Sequence, residues 1–352
     1  MNALQTNTSV VYTGTDNGTL YAVNSRSGTA RWSFTAPSGT IHPAPTVVDG
    51  TVYAGAGDGT LYAVEATAGT RAWTFSKPSE PIVSSPTVSG GAVYFGADDG
   101  VLYAVDAASG DRIWTFDEPS GKVSSSPTVA GGTVFVGADD KTLYAVDADT
   151  GDQVWTFEKP VGPVSSAPTV SQGIVYVGAD DRRLYAVDAE SGEQVWVSDD
   201  PTGPVYSSPE VTDGTVFVGS WERLLAIDAD TGNTTWTADF PRTGIDSSPT
   251  VVEGVVYVGV LDGTLRALSA EDGTENWSFT DPAGLIASSP TVLEGVVYVG
   301  ATDGSLYAVE SASGEQRWEF ADPDVGLFSS PTVVSSLEAA TSAGSRVDFA
   351  YQ

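Results

Sequence analysis

Residues Val123–Phe157 read VSSSPTVAGGTVFVGADDKTLYAVDADTGDQVWTF. Four stretches of this segment favour strand: Val123–Val129, Thr133–Val136, Leu143–Asp147 and Val154–Phe157, most of them rich in β-branched or aromatic residues and bounded by Gly, Asp or Ser. Gly131-Gly132, Ala138-Asp139-Asp140 and Asp149-Thr150-Gly151-Asp152 supply tight connections, where Gly takes a positive φ at little cost. No window carries helical periodicity over three turns. The segment therefore predicts a four-stranded antiparallel meander. Such a unit is too small to bury both of its faces alone.

The segment is one of eight copies. Trp32, Trp73, Trp114, Trp155, Trp196, Trp236, Trp277 and Trp318 are separated by 41, 41, 41, 41, 40, 41 and 41 residues. The prolines of a Ser-Pro-Thr slot, Pro45, Pro86, Pro127, Pro168, Pro209, Pro249, Pro290 and Pro331, keep the same intervals. Eight meanders stacked radially bury one another, which predicts an all-β, eight-bladed β-propeller. The first copy begins at its second strand, Ser9–Gly14, and the last Ser-Pro-Thr segment has no later strands behind it. Phe328–Val334 is therefore expected to give the innermost strand to the blade otherwise built from residues 9–35, closing the ring and protecting its edges. The propeller is read as a single domain over residues 1–334. Residues 335–352 are expected as a C-terminal tail, either an added edge strand or disordered.

Composition removes several classes of function. Among 352 residues, 46 are acidic and 15 basic, a formal charge of −31. Nucleic acid and anionic lipid surfaces need Lys/Arg patches, and here only Arg182 and Arg183 are adjacent. Zero Cys excludes disulfides, thiol catalysis and zinc–thiolate sites, and the single His42 excludes His-based metal cages and Ser-His-Asp triads. No apolar run approaches the roughly eighteen residues of a spanning helix, and Met1–Val10 lacks the charged and apolar regions of a signal peptide. The chain is read as soluble and monomeric, from the cell envelope or outside the cell if a signal has been removed, and otherwise cytoplasmic. So acidic a balance in otherwise ordered sequence suits strong screening by salt, and predicts a halophilic, archaeal source.

The phrase Ala-x-Asp-x-x-Thr-Gly-x-x-x-Trp stands in full at Ala145–Trp155 and Ala226–Trp236. Ala lies ten residues before each repeat Trp and Gly four before it, as at Ala104 and Gly110 before Trp114. Asn24, Glu65, Ser269 and Glu310 replace the Asp, and Ala68 and Asp272 the Thr or Ser. This pattern resembles the tryptophan-docking motif of the PQQ-type propeller repeat, found in quinoprotein alcohol dehydrogenases and in the non-enzymatic assembly lipoprotein BamB. The resemblance covers nearly the whole chain. It implies that each indole packs between neighbouring blades with its N–H satisfied by backbone.

In a chain of near-copies, function is sought where one copy differs at the axis or its mouth. Three residues before each proline the sequence reads His42, Val83, Ser124, Ser165, Tyr206, Asp246, Ala287 and Phe328, next to a uniformly apolar position, Ile41 to Leu327. Uniformity beside variety predicts packing beside lumen or surface. The connection between second and third strands is the other anomaly. Most copies resemble Ala97-Asp98-Asp99-Gly100, whereas one reads Ser220-Trp221-Glu222-Arg223 and is a residue shorter. Trp221 is the only Trp outside the repeat, and the preceding copy carries Arg182 and Arg183 at the same place. Trp221, Arg182, Arg183 and Arg223 are expected to gather on one rim, where they suit a planar anion or a partner's carboxylates. With Tyr206, Asp246, His42 and Phe328 they form the candidate binding set; no catalytic or metal residue is assigned.

The first functional expectation is a non-catalytic scaffold without a cofactor, presenting loops to a protein or glycan partner, because every connection is short and no insertion builds a lid. The alternative implied by the resemblance is a quinoprotein dehydrogenase holding PQQ and Ca²⁺ at the axial mouth, with an Asp as base. Family enzymes of that kind carry insertions between blades and often a vicinal Cys pair against the quinone, and this chain has neither.

Overall fold

In the computed structural model the described residues are 9–321 and 325–335. They form eight four-stranded antiparallel sheets. We number the sheets as blades in chain order. Blade 4, built from the segment quoted first, consists of Thr128–Ala130, Thr133–Gly137, Leu143–Asp147 and Gln153–Phe157. Blade 1 is completed from both ends of the chain: Val10–Gly14, Leu20–Asn24 and Ala30–Phe34 are joined by Thr332–Val334. There Val10 pairs with Val334, Val11 with Val333 and Tyr12 with Thr332. The innermost strands touch one another in sequence around the ring, the last meeting the first of blade 2. The expected eight-bladed propeller with a shared closing blade is what the chain forms.

One expectation needs correction. The innermost strand of blade 4 is not Val123–Val129 but only Thr128–Ala130, and the closing strand is Thr332–Val334 rather than Phe328–Val334. The cause is local. Proline has no N–H for a ladder, and the serines before it bond elsewhere: Ser126 Oγ accepts from the Ser85 N–H of the preceding blade, and Ser125 Oγ donates to the Ser166 carbonyl of the next. These serines are rivets between blades.

The recurring Gly and Trp explain each other across a seam. Gly151 has φ +77°, and a Cβ there would lie 2.8 Å from the indole of Trp114 in the preceding blade. Only glycine satisfies both the left-handed turn and the flat contact. The Trp114 Nε1–H donates to the Ala148 carbonyl of that same turn at 2.9 Å, and equivalent bonds of 2.8–3.1 Å occur from all eight repeat tryptophans. The last, from Trp318 to the Ser25 carbonyl, crosses the closure. Within the turn, Asp147 Oδ1 accepts from the Asp149 and Thr150 N–H groups. Bonding from Thr150 and then Asp149 holds its carboxyl below the usual aspartate range.

The meander sorts connections onto two faces. Connections between second and third strands, and from each fourth strand to the next blade, share one face, called upper here. The first-to-second and third-to-fourth turns share the lower face. Of the expected tail, residues 335–352, all but Ser335 lie outside the described residues.

Candidate functional site

All eight candidate residues stand on the upper face. The apolar position beside the variable slot is buried in every blade, from Ile41 to Leu327. It is held there by the glycine last or next to last in each second strand: a Cβ at Gly137 would come within 2.5 Å of Val164. The neighbouring slot is correspondingly turned outward. His42, Val83, Tyr206, Asp246 and Phe328 are exposed there, while Ser124, Ser165 and Ala287 are half-buried. Slots of adjacent blades are neighbours, since the rings of His42 and Phe328 lie 5.5 Å apart across the closure.

Carboxylates dominate this mouth. His42 Nε2 lies 2.8 Å from Asp16 Oδ1, and the Asp16 N–H donates to the Gly326 carbonyl, so three segments meet at the closing blade. Lys122 Nζ is bonded to Asp98, while Ser124 and Ser165 donate to Asp139 and Asp180. Desolvation raises the Asp180 carboxyl above the usual range, with Asp139 and Asp181 adding to it. Asp246 reaches solvent yet is crowded by its neighbours, and desolvation raises its carboxyl too. Tyr206 stands in the field of both Asp180 and Asp246, and desolvation followed by these two charges pushes its phenol up.

The rim around Trp221 is organised differently from a free cationic patch. Trp221 is 52% exposed, and its Cβ lies so close over Gly203 that no side chain fits there. Arg183 and Arg223 occupy equivalent ladder positions, each giving its Nε–H to an aspartate at the end of its own blade, Asp199 at 2.5 Å and Asp239 at 2.8 Å. Arg182 takes the left-handed turn position, φ +70°. Two of the three guanidinium groups are thus engaged within the chain.

One residue of consequence is absent from the candidate set. Seven threonines after the slot prolines donate to the proline carbonyl of the next blade at 2.5–2.6 Å, a belt of bonds around the axis. In blade 6 that position is Glu210, and the signal in the repeat is the phrase Ser-Pro-Glu in place of Ser-Pro-Thr. Glu210 is half-buried, and burial alone pushes its carboxyl up to about 7. The second acid of the Asp-Asp turn also does more than shape that turn. Asp140 accepts from the Ser120 and Thr142 N–H groups and from the Tyr144 hydroxyl, pinning the turn to the preceding connection between blades.

The family profile described as outer membrane protein assembly factor BamB matches residues 4–100, 76–125, 98–220 and 206–321. The chain belongs to this family. No curated protein sequence matches it. Similar solved structures include the computationally designed protein Ika8, 20% identical over 88% of this chain and 94% of that one, TM-score 0.78. BamB from Moraxella catarrhalis is 21% identical over 84% of this chain and 90% of its own, TM-score 0.70. The quinohemoprotein alcohol dehydrogenase ADHIIG from Pseudomonas putida HK5 is 17% identical over 79% of this chain and 66% of its own, TM-score 0.66. At such identities the likeness shows the fold alone. Among the described residues no helix is long and apolar enough to cross a membrane.

Proposed function

We propose that this BamB-family propeller is a non-catalytic scaffold that presents its upper face to a protein partner, in an assembly role of the kind the family description names. The observation that carries the reading is an asymmetry. Of ten exposed large hydrophobic side chains, Val83, Val161, Tyr206, Trp221, Leu285 and Phe328 stand on the upper face. The other four, Ile113, Val154, Val195 and Val197, lie on outermost strands, where Ile113 and Val195 border lower-face turns, and the exposed aromatic residues Tyr206, Trp221 and Phe328 among the described residues are all on the upper face. Aromatic anchors within a polar surround are the usual composition of a protein-binding patch. A place in the cell envelope and a high-salt environment belong to the same proposal, the second supported by the charge of −31.

The donor set weighs against a quinone with calcium. Calcium takes six to eight oxygen ligands, yet among the described residues no three His, Cys, Asp or Glu side chains converge into a metal-sized group. Asp246, the axial acid, has Tyr206 beside it, and Arg183 and Arg223 are occupied by aspartates.

A photo-crosslinking residue at position 206 or 328, compared with one at Asp149 on the lower face, tests the reading in the native host. Discrete adducts from the upper positions only are expected, and Trp221→Ala should weaken them at an unchanged melting temperature. Equal labelling from both faces would reject the upper face as the interface.

A further inference from the structure

The seams between blades are near-copies whose upper and lower parts differ. Towards the upper face they are filled. In six seams the residue two after the repeat Trp is a phenylalanine that meets a tyrosine of the next blade edge-on, as Phe157 meets Tyr185 with centroids 5.5 Å apart. Between blades 6 and 7 Ala238 replaces the phenylalanine, and Phe240, two residues on, is buried beside Val260 instead. Between blades 5 and 6 the phenylalanine is Ser198, the tyrosine is Leu225, and Ser220 stands where blade 5 has Ala179; all three are buried.

Towards the lower face the same seams are open to different extents. The cleft between blades 5 and 6 is lined by Gln172, Ile174, Val195 and Asp230, among others, and holds about 160 Å³. Its counterpart between blades 3 and 4 has Gly90 for Gln172, Ala92 for Ile174, Ile113 for Val195 and Asp149 for Asp230, and holds about 710 Å³. The clefts between blades 6 and 7 and between blades 8 and 1, lined by Asp213 and by Glu294, hold about 460 and 100 Å³.

The glycine makes the difference. At the first position of this lower turn five blades carry a polar side chain, Asp49, Gln172, Asp213, Glu253 and Glu294, at φ between +48° and +52°. Blades 3 and 4 carry Gly90 and Gly131 at φ +58°, where a Cβ would meet nothing within 4 Å. The turn accepts a side chain elsewhere in the ring, so the cleft is clear because two adjacent blades lack one. It runs from Ile113 on the outermost strand of blade 3, past Gly131, to Thr169 and Val170 on the innermost strand of blade 5. Small-molecule sites have volumes of roughly 300–1,000 Å³.

The walls select the chemistry of an occupant. Ile113, 47% exposed, Val129 and Val170 supply apolar surface, and Asp149 is the only charged residue of the lining. Thr128 and Thr169 donate their hydroxyl protons to the Pro168 and Pro209 carbonyls, which leaves them only lone pairs for the cleft. Desolvation, then the charges of Asp149 and Asp147, raise the Tyr94 phenol in the wall. An apolar trough with acceptors and one carboxylate suits an alkyl chain that ends in a cationic donor.

We propose that the lower cleft between blades 3 and 4 binds a small amphiphilic amine, its ammonium beside Asp149 and its alkyl chain along Ile113, Val129 and Val170. This assignment is independent of the scaffold reading, which concerns the opposite face.

Calorimetric titration of the full chain in molar salt with octylamine hydrochloride and with sodium octanoate tests it. One saturable site for octylammonium is expected, with octanoate about tenfold weaker, since it lacks the charge-assisted hydrogen bond to Asp149. Gly90→Gln combined with Ala92→Ile gives the cleft the side chains that blade 5 carries and should abolish binding. If that variant does not fold, Gly90→Gln alone, at a backbone angle close to that of Gln172, should weaken binding about tenfold. Asp149→Asn should remove the preference for octylammonium over octanoate. Absence of saturable octylammonium binding, equal binding of octanoate by the unaltered chain, binding undiminished by Gly90→Gln, or a preference that survives Asp149→Asn would overturn the proposal.

Discussion

Replacing Glu210 with glutamine should stabilise the propeller at alkaline pH and leave it unchanged in acid. The ordinary glutamate value is 4.5 and burial in the axial belt pushes Glu210 up to about 7. Between those values the native chain holds a proton that the unfolded chain has released. Stability therefore falls as pH rises through this window, and the whole penalty is present above 7. At about 1.4 kcal/mol for each tenfold in proton affinity, the penalty is about 3 kcal/mol. Unfolding entropy near 2.1 cal/mol/K per residue gives roughly 0.7 kcal/mol/K for this chain, so the variant should melt about 4 °C higher at pH 8. Below pH 4.5 both side chains are neutral, and the difference should vanish. Differential scanning calorimetry at fixed molar salt isolates the effect, because other carboxylates cancel between variants and salt does not screen desolvation. A melting difference that stays flat from pH 4 to 8 would refute the reasoning, since it would mean that the carboxyl is hydrated in the belt.

Three further outcomes are expected. Diluting salt from molar to low concentration should lower the melting temperature progressively, as 46 carboxylates against 15 cations lose their screening; a flat curve would remove the halophilic reading. Adding PQQ with Ca²⁺ in molar salt should neither raise the melting temperature nor give dye-linked alcohol oxidation, whereas a saturable rise would establish a quinoprotein. Deleting residues 332–352 removes the ladder partner of Val10–Tyr12 and the Thr332 bond to Pro45, so amides of blade 1 should lose hydrogen-exchange protection first. Unchanged protection there would show that the shared blade does not hold the ring.

How much of the molecule is legible in the sequence follows how far each feature repeats. Trp, Gly and Pro recur because a blade-to-blade contact demands each of them, so blade number, turn positions and closure can be read from their spacing alone. The length of the innermost strand cannot. Its β-branched and serine composition is strand-like, but Pro127 and the sideways bonds of Ser125 and Ser126 divert the backbone toward neighbouring blades. The outward slot is legible as variety beside uniformity. The partners of Arg183 and Arg223 are not, since Asp199 and Asp239 sit 16 residues away and meet them only through the register of third and fourth strands. Glu210 hides for another reason: its one-letter departure falls in a phrase that is otherwise uniform, and only the belt of threonine bonds gives it meaning.

Ser198, Ser220 and Leu225 pose a different problem, because none is unusual by itself and they lie on two different blades. Only the radial stacking makes them one place. Blade 6 or its seams hold these three, Glu210, Trp221 and the Ala238–Phe240 exchange, so the departures are concentrated where drift along a ring of equivalent units would have scattered them. Three of these departures remove something most blades keep: a belt hydrogen bond at Glu210, a turn pin at Trp221 and an aromatic pair at Ser198. Local stabilisation is given up on one side of the ring, which is the pattern expected when a sector is shaped for contact with something outside the chain.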